Sequence, residues 1–148
     1  MKTTLQALKG PSGELSPPLR TLIVDDSSIF LTCLTRLLQL QKNIQVVGTA
    51  VNGREALAKA VQLIPDLVLL DLHMPVMDGF QTLPLLRQQV PHSRIIIMTV
   101  DEAASLAKAC LTQGAHGFIT KSKVIQTLMD EIQHVFTAAL PCEDRRSP

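Results

Sequence analysis

The chain alternates between short stretches that are apolar throughout and longer stretches in which apolar residues recur every three or four positions. The short stretches predict five strands, at Thr21–Val24, Ile44–Val51, Leu67–Leu70, Ile95–Met98 and Gly117–Thr120. The longer stretches predict helices over residues 27–41, about 79–89 and 101–113, the last of these capped by Gly114. Apolar residues at helical spacing mark two more, a second helix stopped by Pro65 (Leu57, Ala60, Val61 and Ile64) and a last helix ended by Pro141 (Val124, Leu128, Ile132, Val135 and Phe136). Buried strands that alternate with helices indicate an α/β fold, with a parallel sheet covered by helices on both faces.

The regular pattern is confined to the middle of the chain. Residues 1–19 contain Gly-Pro, Ser-Gly and Pro-Pro pairs and predict a flexible N-terminal extension. One domain is predicted over residues 20–140, and residues 141–148 form either a tail or the start of a linker. No stretch resembles a signal peptide or approaches the ~20 apolar residues of a membrane span, so we expect a cytoplasmic protein that does not contact the membrane.

Composition narrows the function classes. Charged residues make up 18% of the chain and hydrophobic residues 46%, as in a globular domain, and aromatic residues are so few, at 3%, that the core must be aliphatic. The net charge of +1 argues against direct nucleic-acid binding, which needs a basic surface. The three cysteines are far apart and show no zinc-ligand spacing.

Chemically active side chains follow four of the predicted strands. Asp25 and Asp26 follow the first strand, Asp71 the third, Thr99 the fourth and Lys121 the fifth. Because ligands of parallel α/β sheets bind at the carboxyl ends of strands, we expect these side chains to converge on one edge.

Three neighbouring carboxylates repel one another unless a cation lies between them, and Mg²⁺ prefers such oxygen ligands. With Mg²⁺ at this edge, Asp71 is a candidate nucleophile for a phosphoryl group, Lys121 supplies a second positive charge, and Thr99 supplies a hydrogen bond. Taken singly, each residue has an ordinary alternative. In particular, Asp25 and Asp26 fit equally well as caps of the helix that begins near Ser27 or Ser28.

Four segments together resemble the response-regulator receiver domains of bacterial two-component signalling, including the chemotaxis receivers. They are LIVDDS (22–27), LLDLHMPVMDG (69–79), IIIMT (95–99) and GAHGFITK (114–121). The resemblance implies a flavodoxin-like (βα)5 fold with strand order 2-1-3-4-5. It also implies that Asp71 accepts a phosphoryl group from a sensor histidine kinase or a phosphotransfer protein.

The same resemblance assigns the remaining roles. It implies that Asp26 binds Mg²⁺ directly, Asp25 through water, and His73 through its main-chain carbonyl, alongside Asp71. Thr99 and Phe118 match the switch pair, and Lys121 matches the lysine that pairs with the phosphoryl group. The signal would pass through the fourth helix, fifth strand and fifth helix to a downstream protein, an output domain or a second copy. No enzyme activity is implied beyond self-phosphorylation and slow self-dephosphorylation.

The chain departs from the family pattern at three positions. Ser122 stands where the family often has a proline in a cis peptide, so the geometry of the Lys121–Ser122 bond is left open. Phe118 lacks the hydroxyl that a tyrosine would carry. Val100 stands where small residues are common, and its stiff side chain predicts slow hydrolysis of the phosphorylated form. His73 and Asp101 are expected to flank the same opening. The alternative is that Val100 finishes its strand and points into the core.

Two other functions are weighed. The chain is also consistent with the receiver part of a longer DNA-binding transcriptional regulator. A phosphatase or phosphotransferase with Asp71 as nucleophile is disfavoured, because such enzymes need a second acid two residues later, where this chain has His73.

Overall fold

The strands form one parallel sheet in the predicted order. This computed structural model describes residues 17–146, with side chains described as far as residue 137. The strands are β1 (Leu19–Val24), β2 (Ile44–Ala50), β3 (Leu67–Asp71), β4 (Arg94–Thr99) and β5 (Gly117–Thr120). Their order across the sheet is β2-β1-β3-β4-β5, and every neighbouring pair is parallel. The flavodoxin-like prediction is confirmed.

Each strand is followed by a helix. The helices are α1 (Ser28–Gln39), α2 (Gly53–Leu63), α3 (Gly79–Gln89), α4 (Ala104–Thr112) and α5 (Val124–Arg146), and a short 3-10 turn at Lys121–Lys123 precedes α5. Side chains start three of them, since Ser27, Asn52 and Asp78 each accept a backbone N–H of the first turn. Asp78 and Gln81 complete a capping box, in which the side chain of each accepts the backbone N–H of the other.

The core lies in two layers, because successive strand residues point to opposite faces. On one face, Leu22, Val24, Val68 and Leu70 are fully buried with residues of α2 and α3. On the other face, Ile23, Leu69 and Ile96 pack with Leu34 of α1 and Leu128 of α5. Among the described residues, no helix is long and apolar enough to cross a membrane.

Three predicted boundaries are wrong. Strand β1 begins at Leu19, which the pattern had placed in the extension. Helix α4 begins at Ala104 and not at residue 101, because the Asp101 carboxylate accepts the Ala103 N–H and folds residues 101–103 into a loop. Helix α5 continues past Pro141 to Arg146. A proline removes one helical hydrogen bond without always ending the helix, as Pro84 inside α3 also shows. Residues 1–16 and 147–148 lie outside the described residues.

Candidate functional site

Three carboxylates meet at the carboxyl edge of the sheet. Val24 pairs with Leu70 in the sheet, so the residues that follow them, Asp25 and Asp71, are neighbours. Carboxylate oxygens of Asp25, Asp26 and Asp71 lie within 4.8 Å of one another, and only Asp26 is exposed. The predicted convergence of the three acids is confirmed, and the group is one that could hold a metal ion.

Lys121 faces two of these acids. Its Nζ lies 2.5 Å from Oδ2 of Asp25 and 3.4 Å from Oδ2 of Asp71. Oδ2 of Asp25 is buried and accepts no hydrogen bond of good geometry, so its contact with Lys121 is an ion pair. The other oxygen of Asp25 accepts the Ser27 N–H at 2.8 Å. Lys121, directly after β5, therefore places its ammonium group between the acids at the ends of β1 and β3.

The surroundings of Asp71 favour its protonated form. Burial raises the pKa of Asp71 above its ordinary value, and the charge of Asp25 raises it further. Lys121 and the His73 backbone N–H, which donates to Oδ1 of Asp71 at 3.4 Å, act in the opposite direction. A further cation beside Asp71 would lower the pKa of Asp71 again and favour the ionised carboxylate that a nucleophilic role requires.

Thr99 and the loop after it form the next part of this edge. Thr99 is fully buried, and its hydroxyl oxygen accepts the Asp101 N–H at 3.2 Å. Val100 is 71% exposed, so the alternative that placed its side chain in the core is wrong. Asp101 and His73 are also exposed. Their roles in the lifetime of the phosphorylated form stay predictions.

Phe118 lies one strand away from Thr99, half-buried against the core. It lines a groove of about 340 Å³ between α4 and α5, together with Ala103, Ala107, Lys123 and Glu131. The Phe118 side chain therefore has one part against the core and another on the surface of this groove. Its movement, and that of Thr99, stay predictions.

Two open questions about local structure are answered. The acid pair does not cap α1, because the side chain of Ser27 accepts the Phe30 N–H and acts as the N-cap. The Lys121–Ser122 peptide bond is trans, since no cis bond occurs among the described residues. The ligand role predicted for the His73 carbonyl stays a prediction.

Phe30 and Glu131 were not among the predicted site residues. The Phe30 ring lies beside the Lys121 ammonium group, with Nζ 4.5 Å from the ring centroid. Glu131, on α5, accepts the Phe118 N–H at 3.2 Å and so covers part of the outer edge of β5. For Phe30, the sequence feature that could have identified it is its place in the first turn of the helix that follows the acid pair. For Glu131, the sequence shows only that it lies on a helix.

The chain is similar to known proteins over most of its length. The model of the response regulator receiver domain matches residues 21–133. The transcriptional regulatory protein LnrK of Bacillus subtilis is 32% identical over 122 residues, which are 82% of this chain and 56% of that protein. A protein-glutamate methylesterase/protein-glutamine glutaminase of Halalkalibacterium halodurans is 42% identical over 104 residues, which are 70% of this chain and 30% of that protein.

A solved structure shows the same fold. The CheX-CheY-BeF3-Mg+2 complex from Borrelia burgdorferi contains a chain that matches with a TM-score of 0.77 and 31% identity, over 82% of this chain and 91% of that one. This chain spans less than two thirds of the length of each of the two curated relatives. The family match covers all five strands except the first two residues of β1, and the predicted site residues all lie within it. The chain belongs to the response regulator receiver domain family of two-component signalling.

Proposed function

We propose that Asp71 is the phosphoacceptor of this receiver domain and that its phosphorylation requires Mg²⁺. The observation that carries the proposal is the cluster of three carboxylates with Lys121 3.4 Å from Asp71. Such a cluster is unfavourable for a core and suits a reaction in which negative charge must be neutralised.

The donor set fits Mg²⁺. Asp25, Asp26 and Asp71 offer hard oxygen ligands, and Oδ2 of Asp25 is buried without a well-aligned hydrogen bond. These three acids, with the His73 main-chain carbonyl, are the residues that would hold the ion. When bound, Mg²⁺ would neutralise the carboxylates and allow a phosphoryl group to approach them. The chain from Borrelia burgdorferi, in a complex with BeF3 and Mg, supports this choice of ion.

The transfer itself uses few groups. An oxygen of Asp71 forms the new P–O bond while the P–N bond of the donor's phosphohistidine breaks, and the electron pair of that bond leaves with the imidazole nitrogen. The Lys121 ammonium pairs with a phosphoryl oxygen, and the Thr99 hydroxyl donates a hydrogen bond to another. The donor is a sensor histidine kinase or a phosphotransfer protein.

The output passes through the face formed by α4, β5 and α5. Thr99 moves toward the phosphoryl oxygen and Phe118 turns inward, which needs only a small bias between two packings. Support comes from α4, whose only buried residue is Cys110, because a lightly packed helix moves at low cost. The target is a downstream protein, an output domain or a second copy bound at this face.

The chain itself acts as a switch and not as an enzyme that turns over a substrate. Two outputs are candidates for a longer protein: transcriptional regulation, supported by the likeness to the transcriptional regulatory protein LnrK, and ester hydrolysis, supported by the likeness to the methylesterase. The reading frame around this chain would decide between them. A cytoplasmic location is supported by Cys33 and Cys110, which are free thiols.

Phosphorylation by acetyl phosphate tests the assignment of Asp71. Wild type, Asp71→Asn and, as a matched control, Asp130→Asn on the exposed side of α5 are incubated with acetyl phosphate and Mg²⁺. Acid-labile phosphate should appear in wild type and Asp130→Asn and be absent from Asp71→Asn. Equal labelling of all three would overturn the assignment.

Mg²⁺ binding tests the metal site separately. Asp26→Asn should weaken Mg²⁺ binding in a calorimetric titration, because one of three carboxylate ligands is lost. An affinity equal to that of wild type would remove Asp26 from the site.

A further inference from the structure

Phe30 lies where it can act on Lys121. The ammonium has an acid on two sides, Asp25 at 2.5 Å and Asp71 at 3.4 Å, and the Phe30 ring on another, with its centroid 4.5 Å from Nζ. Cations are attracted to an aromatic face within about 6 Å. The Lys121 side chain is only 16% exposed, so water competes weakly for the ammonium.

The position of the ring is fixed by the segment that carries the acids. The Phe30 N–H donates to Oγ of Ser27, whose own N–H donates to Oδ1 of Asp25. The ring is also packed at the edge of the core layer that contains Leu34 and Ile96. The six residues 25–30 thus carry both the carboxylate and the aromatic face that contact Lys121.

We propose that Phe30 is a positioning residue, which keeps the Lys121 ammonium within reach of the group on Asp71. A phenyl face attracts the cation without accepting a directed hydrogen bond, so Lys121 stays free to turn from Asp25 toward a phosphoryl oxygen. A cation bound by Asp25 would compete with Lys121 for that carboxylate. The Phe30 ring would then keep the Lys121 ammonium in the site, where it would otherwise turn out into solvent. This inference rests on the proposed role of Asp71.

The rate of phosphorylation by acetyl phosphate at saturating Mg²⁺ is the first readout. Phe30→Leu should react about two- to fivefold more slowly, the effect expected from one partly exposed cation–π contact. Phe30→Tyr and Phe30→Trp keep an aromatic face and should react within about twofold of wild type. The matched control is Phe136→Leu, because Phe136 also lies beside a cation, Arg94, with 6.0 Å to the ring centroid, but at the opposite end of the sheet. It should keep the wild-type rate.

A double-mutant cycle separates positioning from packing. If Phe30 acts through Lys121, Phe30→Leu should cause no further loss of rate in a Lys121→Met background. A purely structural role predicts the same fold loss in both backgrounds. A wild-type rate for Phe30→Leu, or additive losses, would overturn the proposal.

Fluorescence tests the contact without any phosphorylation. The chain contains no tryptophan and no tyrosine, so Phe30→Trp introduces a single indole reporter. Its emission should differ between Phe30→Trp and Phe30→Trp/Lys121→Met, since an ammonium over the ring perturbs the excited indole, and identical spectra would refute the contact. If Phe30→Leu fails to fold, this comparison decides the proposal. If wild type takes up no phosphate but the two emission spectra differ, the proposed role of Asp71 as phosphoacceptor is refuted and the contact between residue 30 and Lys121 is supported.

Discussion

Lowering the pH should destabilise this fold through one side chain, His116, which immediately precedes β5. Its Nδ1 accepts the Ile95 N–H at 3.0 Å, while its own backbone N–H donates to the Ile95 carbonyl at 2.8 Å. A protonated imidazole carries hydrogen on both ring nitrogens and cannot accept. Burial lowers the pKa of His116 to about 4, and the charges of Arg87 and Arg94 add to the effect.

The sign follows from proton uptake on unfolding. Between pH 6.5 and about 4 the unfolded chain binds a proton at His116 and the folded chain does not, so the free energy of unfolding falls as the pH falls. At 1.36 kcal/mol per pH unit, this interval corresponds to at most about 3.4 kcal/mol. Because the ring is only partly buried, solvent screening reduces the effect, and we expect a loss of about 1–2 kcal/mol.

The assay is urea unfolding followed by far-ultraviolet circular dichroism, because the chain has no tryptophan or tyrosine to report by fluorescence. His116→Asn is the informative variant, since the asparagine oxygen can accept the Ile95 N–H and does not titrate. Wild type should lose about 1–2 kcal/mol more than His116→Asn between about pH 7.5 and pH 4.5. Asp71 also titrates but is common to both proteins, so its contribution cancels.

His92→Asn is the matched control, because His92 is an exposed histidine. This variant should follow the wild-type pH dependence. Parallel curves for wild type and His116→Asn would refute the reasoning, because they would show that His116 takes up its proton equally in both states.

Three further changes test other parts of the structure. Gly79→Ala should destabilise the fold by about 2–3 kcal/mol in the same urea assay, because the added Cβ would lie 2.4 Å from the Asp71 carbonyl oxygen; Gly48→Ala, which meets only side-chain carbons, should cost far less. Ile64→Asn should stabilise the fold by about 1 kcal/mol, because the C-cap residue Ile64 has a φ of 46°, which suits asparagine better than a β-branched residue. An unchanged free energy of unfolding would show that Ile64 is not strained. Val100→Ala should speed the loss of phosphate from phosphorylated protein; an unchanged or slower decay would show that this exposed valine does not restrict water.

The sheet and the convergence of the site residues could be predicted from the sequence. Both follow from the apolar pattern within each strand and from the residue at its carboxyl end. Uninterrupted apolar strands specify a sheet buried on both faces, and residues directly after parallel strands must share one edge. Asp25, Asp71 and Lys121 needed no more information than their places at the carboxyl ends of β1, β3 and β5. The boundaries at residue 101 and at Pro141 were wrong for local reasons, a side-chain hydrogen bond and a tolerated helical proline.

Partner choice within the site could not be predicted, because it depends on distances of about one ångström. The sequence placed Lys121 beside Asp71, yet its ammonium lies closer to Asp25. Each acid accepts one backbone N–H on its Oδ1, from Ser27 and from His73, so these bonds do not set the preference. Asp25 is fully buried and its Oδ2 accepts no well-aligned hydrogen bond, so that oxygen gains most from a neighbouring cation. A lysine held mainly by a neighbour of the nucleophile stabilises the acid cluster without tightly occupying the oxygen of Asp71 that must react.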